Sequence, residues 1–222
     1  EVMAAEAALR TAAANNGYAF TYASSSERPR RTIAILSRWQ LEVEVVEAGY
    51  IQQASLGTAS FLHLHLNPSG DGSRERQLAF LRPRIAASNP PPLLIGDFNC
   101  ILQPLDAERP TPQKLSKQLA ALVQQFAYFD AFRVLHPASI QFSYSRIHHT
   151  PSRLDRLYLP VICASSIISS YYIPTLSDHC AHVNVCDSAG LGLRLQPPPA
   201  AAARTRVRIG NWRHSWWIGG HA

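Results

Sequence analysis

The sequence predicts an α/β or α+β sandwich. Two observations predict this fold class. Hydrophobic residues make up 46% and charged residues 16% of the 222 positions, which is enough apolar content for a core and too little charge for a disordered chain. Strand patterns are mixed with a few helical ones, without the strict alternation of a parallel α/β fold. No apolar run approaches the roughly 18–20 residues that cross a membrane.

Hydrophobic periodicity defines the predicted elements. Apolar residues near helical spacing predict helices at 1–16, 74–87 and 114–129, and Asn16-Gly17 ends the first of them. Short or alternating apolar runs predict strands at 18–23, 32–39, 41–46, 61–66, 93–95, 140–144, 154–159 and 181–186. Leu62, Leu64 and Leu66 then share one face of a strand, opposite Phe61, His63 and His65. Residues 24–31 are predicted to be a polar loop, and 167–173 is a further short apolar stretch.

The composition changes after residue 187. The net charge is +6, but residues 188–222 hold five Arg and no acidic residue, which leaves +1 for the rest of the chain. Residues 197–203 contain only Pro and Ala, a linker composition, and three of the four Trp follow without a strand or helix period. We therefore expect a domain at 1–187 and a disordered, basic, Trp-rich tail at 188–222.

The four cysteines, Cys100, Cys163, Cys180 and Cys186, show no CxxC pairing. A zinc site with His179 and His182 is possible, but the spacing fits no common structural zinc pattern, and small buried thiols in a reducing compartment are the favoured interpretation.

Three acidic motifs border predicted strands. They are Gly96-Asp97-Phe98-Asn99 after a buried strand, Arg153-Leu154-Asp155-Arg156 at the start of another, and Ser177-Asp178-His179 before the last. Each has an ordinary structural explanation, because Asp and Asn favour turns and caps and Asp155 could form an ion pair with its Arg neighbours. Taken singly, each motif is therefore more often structural than catalytic.

The triple motif resembles the endonuclease/exonuclease/phosphatase superfamily with the DNase I-like fold. Flanking features agree: His65-Leu66 with Arg74 and Gln77 resembles the family's "HL…R..Q" region, and residues 130–144 resemble a stretch familiar from endonuclease domains of non-LTR retrotransposons. The resemblance covers residues 18–186. It implies a four-layer sandwich of two packed β-sheets with outer helices.

The resemblance also implies metal-assisted phosphodiester or phosphomonoester hydrolysis with Mg²⁺, or Mn²⁺, and DNA as the substrate. Asp178 would bind the metal, with Asp97 as a second candidate ligand, and His179 would contact the scissile phosphate or activate water. Asp155 would hold the His179 imidazole in its useful tautomer. Asp97 would position the nucleophilic water or protonate the leaving oxygen. Asn99 and His65 would be the residues that contact the substrate. Histidine near neutral pH and hard oxygen ligands for Mg²⁺ suit these roles.

The family's first two strands normally supply an Asn and a metal-binding Glu, and neither strand is found here. Glu1 is a doubtful candidate for that Glu, so we expect a copy shortened at its N-terminus that is weak or inert as a nuclease until the missing Asn and Glu strands are restored. The alternatives are a non-catalytic remnant of the same fold, and a phosphatase or sphingomyelinase-like phosphodiesterase. We expect no membrane association, no obligate protein partner and an intracellular location, nuclear if the chain derives from a retroelement.

Overall fold

The computed structural model describes residues 2–27, 30–69, 72–111, 115–175, 177–189, 191, 206–212 and 215–221. The helices in these ranges are α1 (Val2–Asn15), α2 (Ser73–Ala87), α3 (Lys117–Gln125) and α4 (Ala131–Leu135). The strands are β1 (Phe20–Glu27), β2 (Arg30–Ser37), β3 (Glu42–Glu47), β4 (Ile51–Leu56), β5 (Ala59–His65), β6 (Leu93–Asp97), β7 (Tyr128–Asp130), β8 (Asp155–Pro160), β9 (Ile167–Ile173), β10 (Ala181–Asp187), β11 (Arg206–Trp212) and β12 (Ser215–His221). None of the described helices is both long and apolar enough to cross a membrane.

The strands form two sheets of six. The first sheet has the order β1-β2-β12-β11-β10-β9, and the second has the order β3-β4-β5-β6-β8-β7. In the second sheet β5 and β6 are parallel, while β6 and β8 are antiparallel. The mixed sheets confirm the predicted sandwich class.

Two apolar layers result from the alternation of side chains along the strands. Phe61, Ile95 and Leu157 belong to the core that also includes Ile35 and Cys186 of the first sheet. Leu62 and Leu94, on the opposite face, pack in a second core that contains residues of helices α2 and α3. The predicted division of β5 into a leucine face and a histidine face is therefore confirmed, and it gives the layered arrangement of helices against two sheets.

Several local predictions differ from the structure. The predicted polar loop at 24–31 contains the end of β1 and the start of β2, where the hydroxyls of Ser25 and Thr32 lie 2.9 Å apart across the ladder. The predicted helix at 114–129 ends at Gln125, because Ala127 adopts a left-handed conformation with φ 50° and β7 follows. Strand β4 was not predicted from its mixed polar and apolar sequence.

The predicted strand at 140–144 is also wrong. Its backbone instead meets the chain near Ser152 through isolated contacts, in which Ser143 and Tyr144 both donate to the Ser152 carbonyl.

The tail expected to be disordered contains β11 and β12, so that expectation is wrong for 206–212 and 215–221. β11 pairs with β10 and β12 pairs with β2, and these long-range hydrogen bonds form where the local sequence carries no period. The run of Pro and Ala at 197–203 lies outside the described residues. The domain boundary after residue 187 stays a prediction.

Candidate active site

Three polar residues form a row across neighbouring strands of the second sheet. In the strand register, Asp97 of β6 lies opposite His65 of β5 on one side and opposite Asp155 of β8 on the other. Along their strands they lie two or four positions from Phe61, Ile95 and Leu157, which belong to the core shared with the first sheet. Because side chains alternate between the faces of a strand, all three polar side chains also point between the sheets. The row lies at one end of the three strands, where the apolar core gives way to polar groups.

A glycine allows strands β5 and β6 to approach closely at this row. Gly96 has φ 148°, and a Cβ atom at this position would lie 1.8 Å from the Leu64 carbonyl oxygen. Any other residue would force the backbones of β5 and β6 apart. Glycine at this position therefore allows the strand pairing in which Asp97 lies opposite His65.

Asn99 fixes the carboxylate of Asp97. The Asn99 backbone NH donates to Asp97 Oδ1 at 2.8 Å, and its Nδ2 donates to Asp97 Oδ2 at 3.0 Å and to the Leu66 carbonyl at 2.7 Å. Asn99 has φ 49°, a left-handed conformation that Asn tolerates better than most residues. Arg74 Nη1 donates to the Asn99 carbonyl at 2.7 Å, which gives a structural role to the arginine of the predicted flanking region.

His179 and Asp155 form the hydrogen bond that was predicted. His179 Nδ1 lies 2.8 Å from Asp155 Oδ2, and Asp155 is fully buried. An ionised carboxylate can only accept, so Nδ1 carries the proton and donates. The predicted acid–imidazole pair is therefore confirmed, while its catalytic role remains a proposal.

Two residues that the sequence reasoning did not place in the site hold the backbone of Asp155. The buried Ser143 hydroxyl accepts from the Asp155 backbone NH at 2.9 Å, and the Tyr172 hydroxyl donates to the Asp155 carbonyl at 2.8 Å. The Tyr144 ring lies 5.0 Å from the His179 ring. These contacts connect distant parts of the chain, so no local sequence signal reveals them.

Asp178 differs from the other predicted site residues. Its side chain is exposed, and its Oδ1 accepts from the Ser177 hydroxyl at 3.0 Å. The charge of Asp178 nevertheless contributes to the raised pKa of His179, which places it near the imidazole. Glu1, the doubtful metal ligand, lies outside the described residues.

Burial and neighbouring charges shift the pKa values of two groups. Burial raises the pKa of Asp97 to about 7, and the negative charge of Asp155 adds to this effect. Burial alone would lower the pKa of His179, but the charge and hydrogen bond of Asp155 raise it to about 9. His179 is therefore protonated at neutral pH, whereas Asp97 exchanges its proton near neutral pH.

The carboxylates of Asp97 and Asp178 are hard oxygen donors, the kind of ligand that Mg²⁺ prefers. Within the described ranges, no three His, Cys, Asp or Glu side chains form a cluster of the kind that holds a metal ion by itself. Mg²⁺ is often held by one or two carboxylates together with substrate phosphate and water, so Asp178 and Asp97 remain the candidate ligands.

Further residues surround the row. Arg31, on β2 of the opposite sheet, has Nη1 3.4 Å from His65 Nε2, and its guanidinium lies 5.0 Å from the centre of the Tyr50 ring. The same His65 Nε2 lies 3.9 Å from Asp97 Oδ2, so the imidazole lies between the arginine and the carboxylate. His182, by contrast, is fully buried with Nε2 2.9 Å from the Ser170 hydroxyl, as expected of a structural residue.

Comparison with known proteins gives one family and one fold. A sequence profile of the Endonuclease/Exonuclease/phosphatase family matches residues 1–179. Three similar solved structures are an AP endonuclease from Archaeoglobus fulgidus, a 3′ phosphatase from Neisseria bound to a product DNA hairpin, and the endonuclease domain of TRAS1, a telomere-specific non-LTR retrotransposon.

The overlap with these structures is extensive, although the sequences differ. The archaeal enzyme has a TM-score of 0.65 at 16% identity over 79% of this chain and 81% of its own. The phosphatase has a TM-score of 0.61 at 14% identity, covering 77% of this chain and 79% of its own. The TRAS1 domain has a TM-score of 0.54 at 13% identity, covering 72% of this chain and 76% of its own. At these identities the likeness concerns the fold.

Proposed function

Because the chain belongs to the endonuclease/exonuclease/phosphatase family, whose chemistry is the hydrolysis of phosphate esters, we propose that it is a Mg²⁺-dependent endonuclease that nicks DNA. The observation that carries this proposal is the Asp155–His179 pair, at 2.8 Å, next to the buried Asp97 that Asn99 holds in place. The arrangement provides one protonated group and one group that titrates near neutral pH in the same cleft.

His179 is suited to contact the phosphate. At neutral pH its imidazole is protonated, and Asp155 holds the Nδ1 proton. His179 Nε2–H can then donate to a phosphoryl oxygen, whose negative charge increases in the transition state. Asp155 orients the ring and stabilises its positive charge, as a buried carboxylate does in other acid–imidazole pairs.

Asp97 is suited to proton transfer. A carboxyl with a pKa of about 7 can accept a proton from an attacking water or return one to a leaving oxygen at physiological pH. Its two oxygens are held by Asn99, so the carboxyl keeps one orientation during the reaction.

Asp178 is the residue that would hold Mg²⁺, with Mn²⁺ as the alternative ion. Asp97 would be a second ligand only in its deprotonated form, as the alternative to its proton-transfer role. The ion would supply positive charge that offsets the negative phosphate and the carboxylates. The charge balance of the cleft supports this proposal, because three carboxylates, those of Asp97, Asp155 and Asp178, influence a single imidazolium.

Basic and exposed groups beside the site favour a polymeric substrate. Residues 145–149, which include Arg146, His148 and His149, are exposed, and the Ser145 backbone NH donates to the Asp178 carbonyl at 2.8 Å. Arg31 provides another cation at the opposite side of the cleft, next to His65. Such groups can contact phosphates on either side of a cleaved bond. The likeness of residues 130–144 to retroelement endonucleases supports an origin of that kind.

The test is plasmid nicking by the chain as it stands. Purified protein is incubated with supercoiled plasmid and Mg²⁺, with a chelator or the variant His179→Ala in parallel reactions, and Arg84→Gln serves as a surface control. We expect nicks that depend on Mg²⁺ and are lost on His179→Ala, since removing one donor to the developing phosphoryl charge costs on the order of 10²–10³-fold.

Other outcomes would contradict the proposal in different ways. Cleavage of a phosphomonoester or of sphingomyelin without any nicking would favour the phosphatase or sphingomyelinase-like alternative. A folded protein that cleaves none of these substrates would favour a non-catalytic fold.

A further inference from the structure

A buried cluster of five charged residues lies behind the site. We call it the Asp106 cluster, and its members are Asp106, Asp130, Arg133, Arg153 and Arg156. The side chains of Arg153, Arg156 and Asp106 are fully buried. Arg153 and Arg156 flank Asp155 at the start of strand β8. The predicted reaction uses none of the five.

Asp106 is the centre of this cluster. Its Oδ1 accepts from Arg133 Nη2 at 2.8 Å, from Arg153 Nε at 3.0 Å and from Arg153 Nη2 at 2.8 Å. Its Oδ2 accepts from Arg156 Nη2 at 3.2 Å and from the backbone NH groups of Leu102 and Gln103 at 3.2 and 3.3 Å. One carboxylate therefore receives six hydrogen bonds from three segments of the chain, which are the 102–103 loop, helix α4 and residues 153–156.

Two of these three segments carry residues of the site. The first is the loop that follows Asp97 and Asn99, in which the backbone NH groups of Leu102 and Gln103 donate to the Asp106 carboxylate. The second begins at Arg153, whose backbone NH donates to the Asp106 carbonyl at 2.7 Å. Arg156 joins them again, because its Nη1 donates to the Cys100 carbonyl at 2.9 Å and its Nη2 donates to the Arg153 carbonyl at 2.6 Å.

We propose that Asp106 is a positioning residue for phosphodiester hydrolysis, which ties the Asp97–Asn99 loop to strand β8 and so fixes Asp155 relative to His179 and Asp97. The inference rests on the proposed function. Arg156 and Asp155 are adjacent in an extended strand and point to opposite faces of the sheet. Arg156 therefore connects strand β8 to the Asp106 cluster on one face of the sheet, while Asp155 points to the other face, where His179 and Asp97 lie.

The cost of burying these charges supports a role beyond packing. A buried ion cluster is often no more stabilising than apolar side chains of the same volume, so its stability alone explains little. It does specify one arrangement, because each arginine fork accepts few geometries. The cluster holds three cations and two carboxylates, and the positive charge of Arg156 opposes the effect of burial on the pKa of Asp97.

The variant Asp106→Asn tests the proposal, because it keeps the size of the side chain and removes its charge. We expect kcat for plasmid nicking to fall by about 10–100-fold, since small displacements of reacting groups have effects of this size. KM should stay within about twofold, because Asp106 does not contact substrate. The downfield NMR resonance of the His179 Nδ1 proton should shift or broaden. Glu44→Gln, which removes an exposed ion pair with Arg84 at 2.7 Å, is the matched control and should change neither quantity.

A folded Asp106→Asn protein with wild-type kcat and an unchanged His179 resonance would overturn the proposal. If Asp106→Asn does not fold, Arg156→Lys decides, because it retains the buried charge and loses the arginine fork. A reduced kcat with a shifted resonance in folded Arg156→Lys supports the proposal, and wild-type values overturn it. If the wild-type chain cleaves no phosphate ester, the proposed function fails, whereas the resonance still tests the positioning.

Discussion

Replacing Asp155 by Asn should disable the site without removing a side chain. Asn has nearly the same shape, but it carries no charge and cannot stabilise a protonated imidazole. Asp155 is fully buried, and its Oδ2 accepts the Nδ1 proton of His179 at 2.8 Å. The substitution therefore acts mainly through the pKa values of His179 and Asp97.

The structure gives the direction and the size of the effect. The charge and hydrogen bond of Asp155, together with the charges of Asp97 and Asp178, raise the pKa of His179 to about 9 from an ordinary value of 6.5, against the effect of burial. A difference of this size corresponds to about 3 kcal/mol. Without Asp155, burial dominates, and the pKa of His179 should fall to or below its ordinary value. The pKa of Asp97 should also fall, because the charge of Asp155 helps to raise it.

The sign of the stability change with pH follows from linkage. Since the folded-state pKa of His179 lies above the unfolded value, the interaction with Asp155 stabilises the protein fully below about pH 6.5 and is lost as the pH rises through about 9. In wild-type protein without metal, the free energy of unfolding should decrease over this window. In Asp155→Asn the decrease should be much smaller.

Three measurements test this prediction. Urea unfolding at pH 6 and pH 9 gives the stability difference, NMR titration gives the pKa of His179, and plasmid nicking gives kcat. We expect a loss of kcat on the order of 10²–10³-fold, because the imidazole that contacts the phosphate is both misoriented and neutral. An Asp155→Asn protein with an unchanged His179 pKa or wild-type kcat would refute the assigned role of the pair.

The remaining predictions concern the cleft and the sheet. Gly96→Ala should lower the free energy of unfolding by about 3 kcal/mol or more in chemical unfolding, because its Cβ would lie 1.8 Å from a backbone oxygen. Gly57→Ala, where a Cβ meets nothing within 4 Å, should cost much less, and equal losses would contradict the steric argument. Arg31→Ala should raise KM for plasmid more than it lowers kcat in steady-state kinetics, and an unchanged KM would remove Arg31 from the phosphate-binding surface. Truncation after Asp187 should lower the melting temperature, because β11 and β12 lie between β2 and β10; an unchanged melting curve would show that this hairpin adds no stability.

The sequence was sufficient to predict the chemistry of the site where short motifs carry it. Asp97, Asn99, Asp155 and His179 were identified because the three motifs that contain them, taken together and in order, resemble the endonuclease/exonuclease/phosphatase family. The hydrogen bond between Asp155 and His179 followed from the roles that this resemblance implies, although 24 residues separate them. The leucine and histidine faces of β5 were also predictable, because side chains alternate along any strand.

Local patterns failed where pairing with a distant segment decides the conformation. The polar run at 24–31 carries no strand signal, yet β1 and β2 extend into it because each supplies the hydrogen-bond partner of the other. The same holds for β11 and β12, whose partners are β10 and β2. In the opposite direction, residues 140–144 have the composition of a strand but no neighbouring strand to pair with in the described part of the chain.

The roles of Asp106, Ser143 and Tyr172 depended on the tertiary structure alone. Each holds the backbone or flanking residues of Asp155 from a segment at least twelve positions away in the sequence. An aspartate before alanine, or a serine after phenylalanine, has no local feature that indicates such a contact. The sequence by itself determined which groups could perform phosphate chemistry, since that depends on residue type and strand position. Only the tertiary structure decided which groups hold them in place, because hydrogen bonds to a buried strand come from whichever segments the fold brings beside it.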